Sequence, residues 1–490
     1  MKRSKIFFSV IAVLMMAGLA FAQTTVNFSG FIRVYPEINN YGYGNIQLSD
    51  DSQTRAFVDQ RARIYFNIKS GEEVGGTYAM EIDSRWGDVA YTVGRNRGGA
   101  LEADTINVET KNLYLWFKPT VNSKYTLGIQ GFSDDFMGII LGGADMAGIR
   151  ADYNLSKESS LMAGWFLFSD RDVKVNDGIY FIPVTFKHKM GNNTLSLSLY
   201  GLFDDGGKAG ERLLNNTTEL SPLSNRSYIG GISPKTSVVG ALSEYQRARI
   251  YYAGVNFSGK TGKVAYTLYG LYNWGTISGV SYDTDGDNDL DVTDRLQRTF
   301  NMNISSYALH GMVDVALGSG TLRGRVLYVS GGDKNPEAYN GMVTGNQYAI
   351  GADLPLLCSD LFILIRTAED ITHSAALLPD VNNNGRGAFL VYADYNHKIN
   401  NKFSLQVGAG YLQANDNRVD GDALSGTKNA GMHMGTEVNA QLKYTFNKNM
   451  SITGVVAWAD LGDYYNDYNS TTAIHPDSLY RAFVKFNYAF

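Results

Sequence analysis

The chain has 490 residues, of which 44% are hydrophobic and 12% aromatic, with a formal net charge of -5 and a single cysteine. An acidic balance without a basic tail or patch excludes the electrostatic footprint of a nucleic-acid-binding protein. The lone Cys358 excludes an internal disulfide and a CxxC metal or redox motif. Beyond the N-terminus no apolar stretch approaches the roughly 18 residues of a membrane-spanning helix, so a helical membrane protein is excluded as well.

The N-terminus has the three parts of a secretory signal peptide. Lys2, Arg3 and Lys5 precede an apolar run over residues 6–19, and Ala20-Phe21-Ala22 follows as a small-x-small cleavage site. The run is too short for a comfortable membrane span. The sequence predicts a signal peptide over residues 1–22 and one mature domain over residues 23–490.

Eighteen runs of alternating polar and apolar residues follow in chain order, each about ten residues long. The alternation is clear where Leu195, Leu197 and Leu199 are interleaved with Thr194, Ser196 and Ser198. The predicted strands lie near 26–35, 56–69, 76–85, 108–118, 123–131, 147–154, 160–168, 179–189, 194–203, 246–257, 262–273, 304–316, 320–329, 388–397, 402–413, 434–446, 449–459 and 479–490.

The connections between these runs alternate short and long, as in a barrel with short turns on one side of a membrane and long loops on the other. The fold class predicted is all-β, a transmembrane antiparallel barrel of about 18 strands, with 16 or 20 as alternatives. If residues 347–353 and 361–365 formed one more hairpin, the barrel would have 20 strands. We favour a long loop folded over or into the mouth there, because Leu354-Pro355-Leu356-Leu357 does not alternate.

The last run places Phe486, Tyr488 and Phe490 on one face and Lys485 and Asn487 on the other. With its terminal aromatic residue the chain resembles bacterial outer-membrane β-barrel porins. The resemblance implies a location in the bacterial cell outer membrane, contact with its lipid, and recognition of Phe486, Tyr488 and Phe490 by the barrel insertion machinery. It also implies passage of small hydrophilic solutes and assembly as a homotrimer.

The same parity argument predicts which charged residues line the pore. In residues 59–69, Ala62, Ile64, Phe66 and Ile68 face lipid and their charged neighbours face inward. A similar pair, Arg247 and Arg249, is expected inward with a bulge near Tyr252. The predicted pore-lining residues are Arg33, Arg61, Arg63, Arg85, Arg150, Arg247, Arg249, Arg323, Arg325, Glu81 and Asp83.

Because the predicted inner wall carries more cations than anions, it should concentrate anionic solutes. Arginine also binds phosphate or carboxylate through two oxygens at once. The alternative interpretation is that Arg61 and Arg63 form cross-strand ion pairs with Glu81 and Asp83 that hold the wall rigid. The two interpretations are compatible.

The third long connection, residues 132–145, is unusually apolar and carries Asp134, Asp135 and Asp145. It resembles the inward-folded third loop of trimeric porins in order, acidity and glycine content. That resemblance implies a constriction loop. A protomer contact or a lid is the alternative for its apolar residues.

A run of acidic residues with oxygen ligands at alternate positions resembles an EF-hand calcium loop. Asn288 stands where that loop has its glycine, and Asp294 replaces the bidentate glutamate. The alternative is a solvated acidic tip. The candidate calcium ligands are Asp283, Asp285, Asp287, Asp289, Asp291 and Asp294.

The sequence contains no GxSxG or nucleotide-binding motif, and its six histidines are scattered without metal-ligand spacing. We therefore predict no enzyme and no required cofactor, with calcium as a candidate ligand of that external loop. The function predicted is passive diffusion of small hydrophilic solutes with a mild anion preference. The alternatives are a surface adhesin or structural outer-membrane protein, and a substrate-specific channel for sugars or phosphate-type solutes.

Overall fold

The computed structural model describes residues 24–41, 54–89, 98–101, 106–169, 178–205, 243–244, 246–282, 300–331, 338–345, 360–365, 377–378, 380–416, 431–464 and 478–490. The expected signal peptide, residues 1–22, lies outside these ranges. Its cleavage, and the single domain that would follow it, stay predictions. No helix in the described ranges is long and apolar enough to cross a membrane.

Twenty strands are hydrogen-bonded into one sheet. Two of them, β10 and β15, have only two residues each, and the other 18 are the wall strands. The strands are β1 (Thr24–Asn39), β2 (Arg55–Ser70), β3 (Val74–Arg85), β4 (Val108–Thr120), β5 (Ser123–Phe132), β6 (Ala144–Asn154), β7 (Ser159–Ser169), β8 (Ile179–Met190), β9 (Asn193–Asp204), β10 (Ser243–Glu244), β11 (Arg247–Thr261), β12 (Val264–Tyr282), β13 (Phe300–Leu317), β14 (Gly320–Val329), β15 (Ala338–Tyr339), β16 (Ala388–Lys398), β17 (Phe403–Gln413), β18 (His433–Thr445), β19 (Met450–Leu461) and β20 (Ser478–Ala489).

The wall strands close into a cylinder. Each pairs antiparallel with its neighbours along the chain, with β9 directly on β11 and β14 directly on β16. The first strand pairs with the last, so that Ile32 lies opposite Tyr488. The main chains of Gly30 and Phe490 exchange two hydrogen bonds, of 3.0 and 3.1 Å. Every wall strand thus has a partner on both sides, and the prediction of an 18-stranded antiparallel barrel is confirmed.

The side chains at alternate positions of each wall strand form an apolar outer surface. Phe28 is 62% exposed, Leu199 53% and Val456 57%, although all three are large apolar residues. Their neighbours on the opposite parity are polar or buried, because they face the interior of the cylinder. Lipid is the solvent that such an outer surface requires.

The turns at one end of the barrel are short and fixed by local chemistry. Asn447 closes one turn by accepting hydrogen bonds from the main-chain N–H groups of Asn449 and Met450, at 2.9 and 2.8 Å. Asn400 does the same for Lys402 and Phe403, at 2.8 and 3.0 Å. Such side-chain caps make two strands turn back within a few residues. The wall-strand ends that lead into the long connections lie at the other end of the barrel.

Parts of the long connections pack against the inner wall instead of extending from the mouth. Glycines on inward-facing positions make room for them. A Cβ at Gly254 would lie 2.3 Å from the ring of Phe136, and one at Gly410 would lie 2.9 Å from a methyl of Leu361. The segment 361–365 therefore lies inside the cylinder, and β14 pairs directly with β16. The alternative of a further wall hairpin built on residues 361–365 is wrong, while residues 347–353 lie outside the described ranges.

A 3₁₀ helix, Asn383–Gly385, belongs to the same interior packing. Its N-cap Asn382 donates to the carbonyl of Met342 at 2.6 Å. The interior of the upper barrel is thus filled by chain from several loops, while the lower interior, near the short turns, is lined by polar side chains of the strands.

Candidate pore lining and constriction

Four arginines and three carboxylates on β1, β2 and β3 form a charged ladder on the inner wall. Cross-strand register places Arg61 opposite Asp83, Arg63 opposite Glu81, and Arg85 opposite Asp59. Arg61 Nη2 lies 2.5 Å from Asp83 Oδ2, Arg85 Nε lies 2.8 Å from Asp59 Oδ1, and Arg63 is bonded to Glu81. The fourth arginine, Arg33, donates from Nε to Asn487 Oδ1 at 2.8 Å.

The ladder brings the predicted pore-lining residues of the first three strands together, but most of their charge is compensated locally. Arg61 contacts two carboxylates, since Glu81 also lies 3.7 Å from its Nε. Further along the wall, Arg150 pairs with Asp152 on the same strand at 2.8 Å. The geometry supports the interpretation that these pairs brace the wall.

A cavity of about 330 Å³ opens from Arg33 across the lower inner wall. It crosses β1, β16, β17, β18, β19 and β20, and the described residues that line it include three cations and no carboxylate. The lining residues are Arg33, Asn396, Ser404, Gln406, Gln441, Lys443, Ser451, Thr453, Lys485 and Asn487.

Arg323 and Arg325 also face inward, as expected, but carboxylates surround them. Arg323 Nε lies 2.8 Å from Asp314 Oδ1, and Arg325 Nη2 lies 3.8 Å from Asp360 Oδ2. Asp394 lies opposite Arg323 in the register of β14 and β16. Its carboxylate is 3% exposed and accepts no hydrogen bond from the described residues. Together these arginines and carboxylates form a mixed-charge patch on the inner wall.

Arg249 does not line the pore. The register of β11 runs without a break from Arg247 to Thr261, so its side chains alternate regularly between the inner and the outer face. Ala248, Ile250 and Tyr252 are the buried, inward residues of this strand, and the Tyr252 hydroxyl donates to the carbonyl of Val343 inside the barrel at 3.0 Å.

The opposite face of β11 turns outward, where Val255 is 47% exposed. Arg249 lies on this face and pairs with Asp205 at 2.7 Å beside the rings of Phe203 and Tyr251. Arg247 shares its parity. The prediction that Arg247 and Arg249 face the lumen, and the bulge near Tyr252, are therefore wrong.

The third long connection folds onto the inner wall. Phe136 is fully buried against Tyr200 and Tyr269, with ring centroids 6.1 and 5.6 Å apart. Asp135 reaches Lys187 on β8 at 2.6 Å, and the Asn256 amide donates to its carbonyl. We call residues 133–143 the third loop.

Asp134 holds the third loop in shape and does not present its charge to the lumen. Its carboxylate oxygens accept four main-chain N–H groups at 2.6 to 2.9 Å, from Phe136, Gly138, Ile140 and Leu141. Burial raises the pKa of Asp134 to about 6, and these four donors offset part of the rise.

Asp145 belongs to a strand and not to the loop, since β6 begins at Ala144. Its carboxylate pairs with Lys111 at 2.5 Å and accepts from Asn112 at 3.0 Å. Of the three expected constriction-loop carboxylates, Asp135 alone lies on the loop with its side chain directed at a charged wall residue.

A second inward segment, Asp360–Ile365, lies against β17, β18 and β20. The carboxylate of Glu437 on β18 holds this segment, because it accepts the main-chain N–H groups of Phe362, Ile363 and Leu364. Asp360 and Asp394 were missed as pore residues. The inward face of β16 begins with Ala388 and Leu390, which are buried under the loops and gave no polar signal.

The three aromatic residues of the expected insertion signal lie on the outer surface. Phe486, Tyr488 and Phe490 are 38%, 46% and 40% exposed, and the rings of Tyr488 and Phe490 are 5.8 Å apart. The candidate calcium ligands between Asp283 and Asp294 lie outside the described ranges. Within those ranges no cluster of three or more histidine, cysteine, aspartate or glutamate residues could hold a metal ion.

A closed barrel with an apolar outer wall and a charged, loop-narrowed interior matches the comparisons with known proteins. A family model described as "Porin subfamily" matches residues 232–479, which is 248 of the 490 residues. The chain belongs to this porin subfamily. This porin is therefore an outer-membrane channel for small solutes, and porins are channels and not enzymes.

One solved structure with a similar fold supports the barrel, and a second is reported for its similarity alone. The crystal structure of Acinetobacter baumannii OccAB1 superposes with a TM-score of 0.53 at 14% identity, covering 96% of this chain and 99% of that chain. The Pseudomonas aeruginosa outer membrane protein OpdK gives a TM-score of 0.49 at 11% identity, covering 95% and 98%. The search of curated proteins finds no match.

Proposed function

We propose that this porin passes small hydrophilic solutes by passive diffusion and prefers anions mildly. The observation that carries the proposal is the cavity lined by Arg33, Lys443 and Lys485, which has polar walls and no carboxylate in its described lining. Fixed charges of one sign in a low-dielectric wall raise the local concentration of counter-ions. Anions entering this part of the lumen should therefore be enriched.

The preference should be mild because the other inward arginines are compensated. Arg61, Arg63 and Arg85 each pair with a carboxylate across the sheet, and Arg323 pairs with Asp314. A compensated pair attracts neither ion strongly at a distance. The source of selectivity proposed here is the cavity near the short turns, and the arginine pairs serve mainly to brace the wall.

The test is the reversal potential of single channels in a salt gradient. Replacing both Lys443 and Lys485 by Gln should move the reversal potential toward the cation side. A matched control is Lys402→Gln with Lys448→Gln, which removes the same charge from two exposed turns. Equal shifts in the two double variants, or no shift in either, would remove the cavity from the proposal.

A saturable, selective channel is the second candidate. It is favoured by the third loop and the segment 360–365, which both narrow the interior, and by the mixed-charge patch at Arg323, Arg325 and Asp394. If the flux of one solute class saturates as its concentration rises, and the flux of other solutes of equal size does not, the selective channel is favoured over general diffusion.

Two further proposals rest on the porin resemblance, and a third rests on the resemblance to an EF-hand loop. Recognition of Phe486, Tyr488 and Phe490 by the insertion machinery agrees with their outward exposure, and deletion of Phe490 should lower the amount of assembled barrel in the outer membrane. A homotrimer would be detected by cross-linking in the membrane. Calcium binding by residues 283–294 would be detected by calorimetric titration of the folded protein with calcium, compared with an Asp285→Asn, Asp287→Asn variant.

A further inference from the structure

A buried carboxylate on β18 holds the segment Asp360–Ile365 against the inner wall. Glu437 Oε1 accepts the N–H of Phe362 at 2.7 Å, and Oε2 accepts those of Ile363 and Leu364, both at 3.0 Å. Glu437 is fully buried. One side chain thus satisfies three consecutive main-chain donors that have left the β-sheet pattern, and buried donors require such partners.

A second contact ties the same segment to the seam where the barrel closes. Arg481 on β20 donates from Nη1 to the carbonyl of Phe362 at 2.9 Å and from Nη2 to Glu37 on β1 at 2.9 Å. Both charged side chains are almost fully buried. Glu437 therefore binds the N–H of Phe362 and Arg481 binds the carbonyl of Phe362, so the segment is held at this residue from both sides.

The bonded segment places one charge in the pore. Asp360, at its start, has a side chain that is 37% exposed, whereas Leu361, Ile363 and Leu364 are fully buried. The Asp360 carboxylate accepts from Gln406 at 3.0 Å and lies 3.8 Å from Arg325.

Gln406 also lines the cationic cavity. The Asp360 charge consequently lies at the boundary between the mixed-charge patch and the cationic cavity. Its position along the pore depends on how firmly the segment behind it is held.

We propose that Glu437 is a positioning residue of the channel: by binding the main chain of residues 362–364 it fixes Asp360 in the pore and so sets ion selectivity and open-state stability. This inference rests on the proposed channel function. Glu437 itself is buried and meets no solute, so its effect must act through Asp360.

The variant Glu437→Gln keeps the shape of the side chain and replaces one acceptor oxygen by a donor. The apolar side chains of the segment still pack against the wall, so the segment should become more mobile without detaching from the inner wall. Losing a charge-assisted hydrogen bond should raise the fraction of time spent in secondary conductance levels by about tenfold or more. Asp360→Asn is the matched control, because it removes the pore charge and leaves the segment bonded; it should shift the reversal potential toward anions without added noise.

A disulfide between Leu361→Cys and Gly410→Cys tests whether loosening is the cause. An ideal Cβ at Gly410 lies 2.9 and 3.0 Å from the two methyls of Leu361, so the two positions face each other at close range. The native Cys358 is replaced by Ser in this background. In the oxidised Glu437→Gln protein the noise and reversal potential should return to the wild-type values, and reduction should bring the defect back.

The outcomes separate the two proposals. A folded wild-type protein that conducts no ions overturns the proposed function. A conducting wild type with an unchanged Glu437→Gln variant, or a noisy variant that the disulfide does not quieten, overturns the positioning role. If Glu437→Gln does not assemble, as judged by heat-modifiable migration in gels, Glu437→Asp shortens the side chain by one methylene, lengthens the contact to residues 362–364 and carries the same expectations.

Discussion

The third loop offers a sharp perturbation, because one carboxylate organises it. Asp134 accepts four main-chain hydrogen bonds through two oxygens, two donors to each. Asp134→Asn keeps one oxygen and turns an amide nitrogen toward the other two donors. Two charge-assisted hydrogen bonds of about 1.5 to 3 kcal/mol each are lost, so docking of the loop weakens by about 3 to 6 kcal/mol.

A loss of that size raises the undocked fraction of the loop by about two to four orders of magnitude. The buried Phe136 then leaves its site between Tyr200 and Tyr269, and the interior widens on that side. Single-channel recordings should show a larger mean conductance, or frequent transitions to a larger level, in Asp134→Asn than in the wild type.

Asp135→Asn is the control, since it removes the same formal charge from the next position. Its carboxylate pairs with Lys187, whose side chain is 46% exposed, so solvent screens the pair and its contribution is about 1 kcal/mol. The control should therefore record like the wild type. If Asp134→Asn and Asp135→Asn give the same traces, the argument that Asp134 organises the loop is refuted.

Two further predictions concern the third loop and the charged ladder. Gly254→Val should disrupt the loop, because its Cβ would lie 2.3 Å from the Phe136 ring, whereas Gly454→Val, with open space around it, should leave conductance unchanged. Glu81→Gln should shift the reversal potential toward anions by leaving its arginine partner uncompensated, and an unchanged potential would show that the ladder does not contribute to selectivity.

The alternation of polar and apolar residues, together with the order of short and long connections, predicts the barrel, and the reason is visible in β2. Ala62, Ile64, Phe66 and Ile68 meet lipid while their neighbours meet the lumen, so the two environments differ sharply and the sequence records the difference. The strand count followed from the same contrast, because each wall strand crosses the same two environments.

The same rule failed where loops fill the lumen. In β11 the inward residues Ala248 and Ile250 are apolar because they pack against loops, and the outward Arg249 sits at an aromatic rim beside Phe203 and Tyr251. The alternation rule presumes a polar interior, so it assigns the two faces of β11 the wrong way round. Inward-facing Gly254 and Gly410 were the available signal, since a wall glycine marks a close approach by another part of the chain.

The loop anchors could not be predicted from one sequence, because each joins positions far apart in the chain. Glu437 binds residues 362–364, and Arg481 binds Glu37 across the closing seam. Neither contact has a local motif. Asp134 is the exception, since its four partners follow within seven residues, in a loop that is acidic and rich in glycine.

Conductance of the purified protein in a planar bilayer tests the central claim, which is that the inner face of this barrel lines a continuous water-filled path narrowed by two anchored loops. The account predicts discrete, stable conductance steps for the wild type, and larger or noisier steps when Asp134 or Glu437 is replaced by its amide. A folded barrel that inserts and leaves the bilayer silent, with both amide variants equally silent, would contradict it.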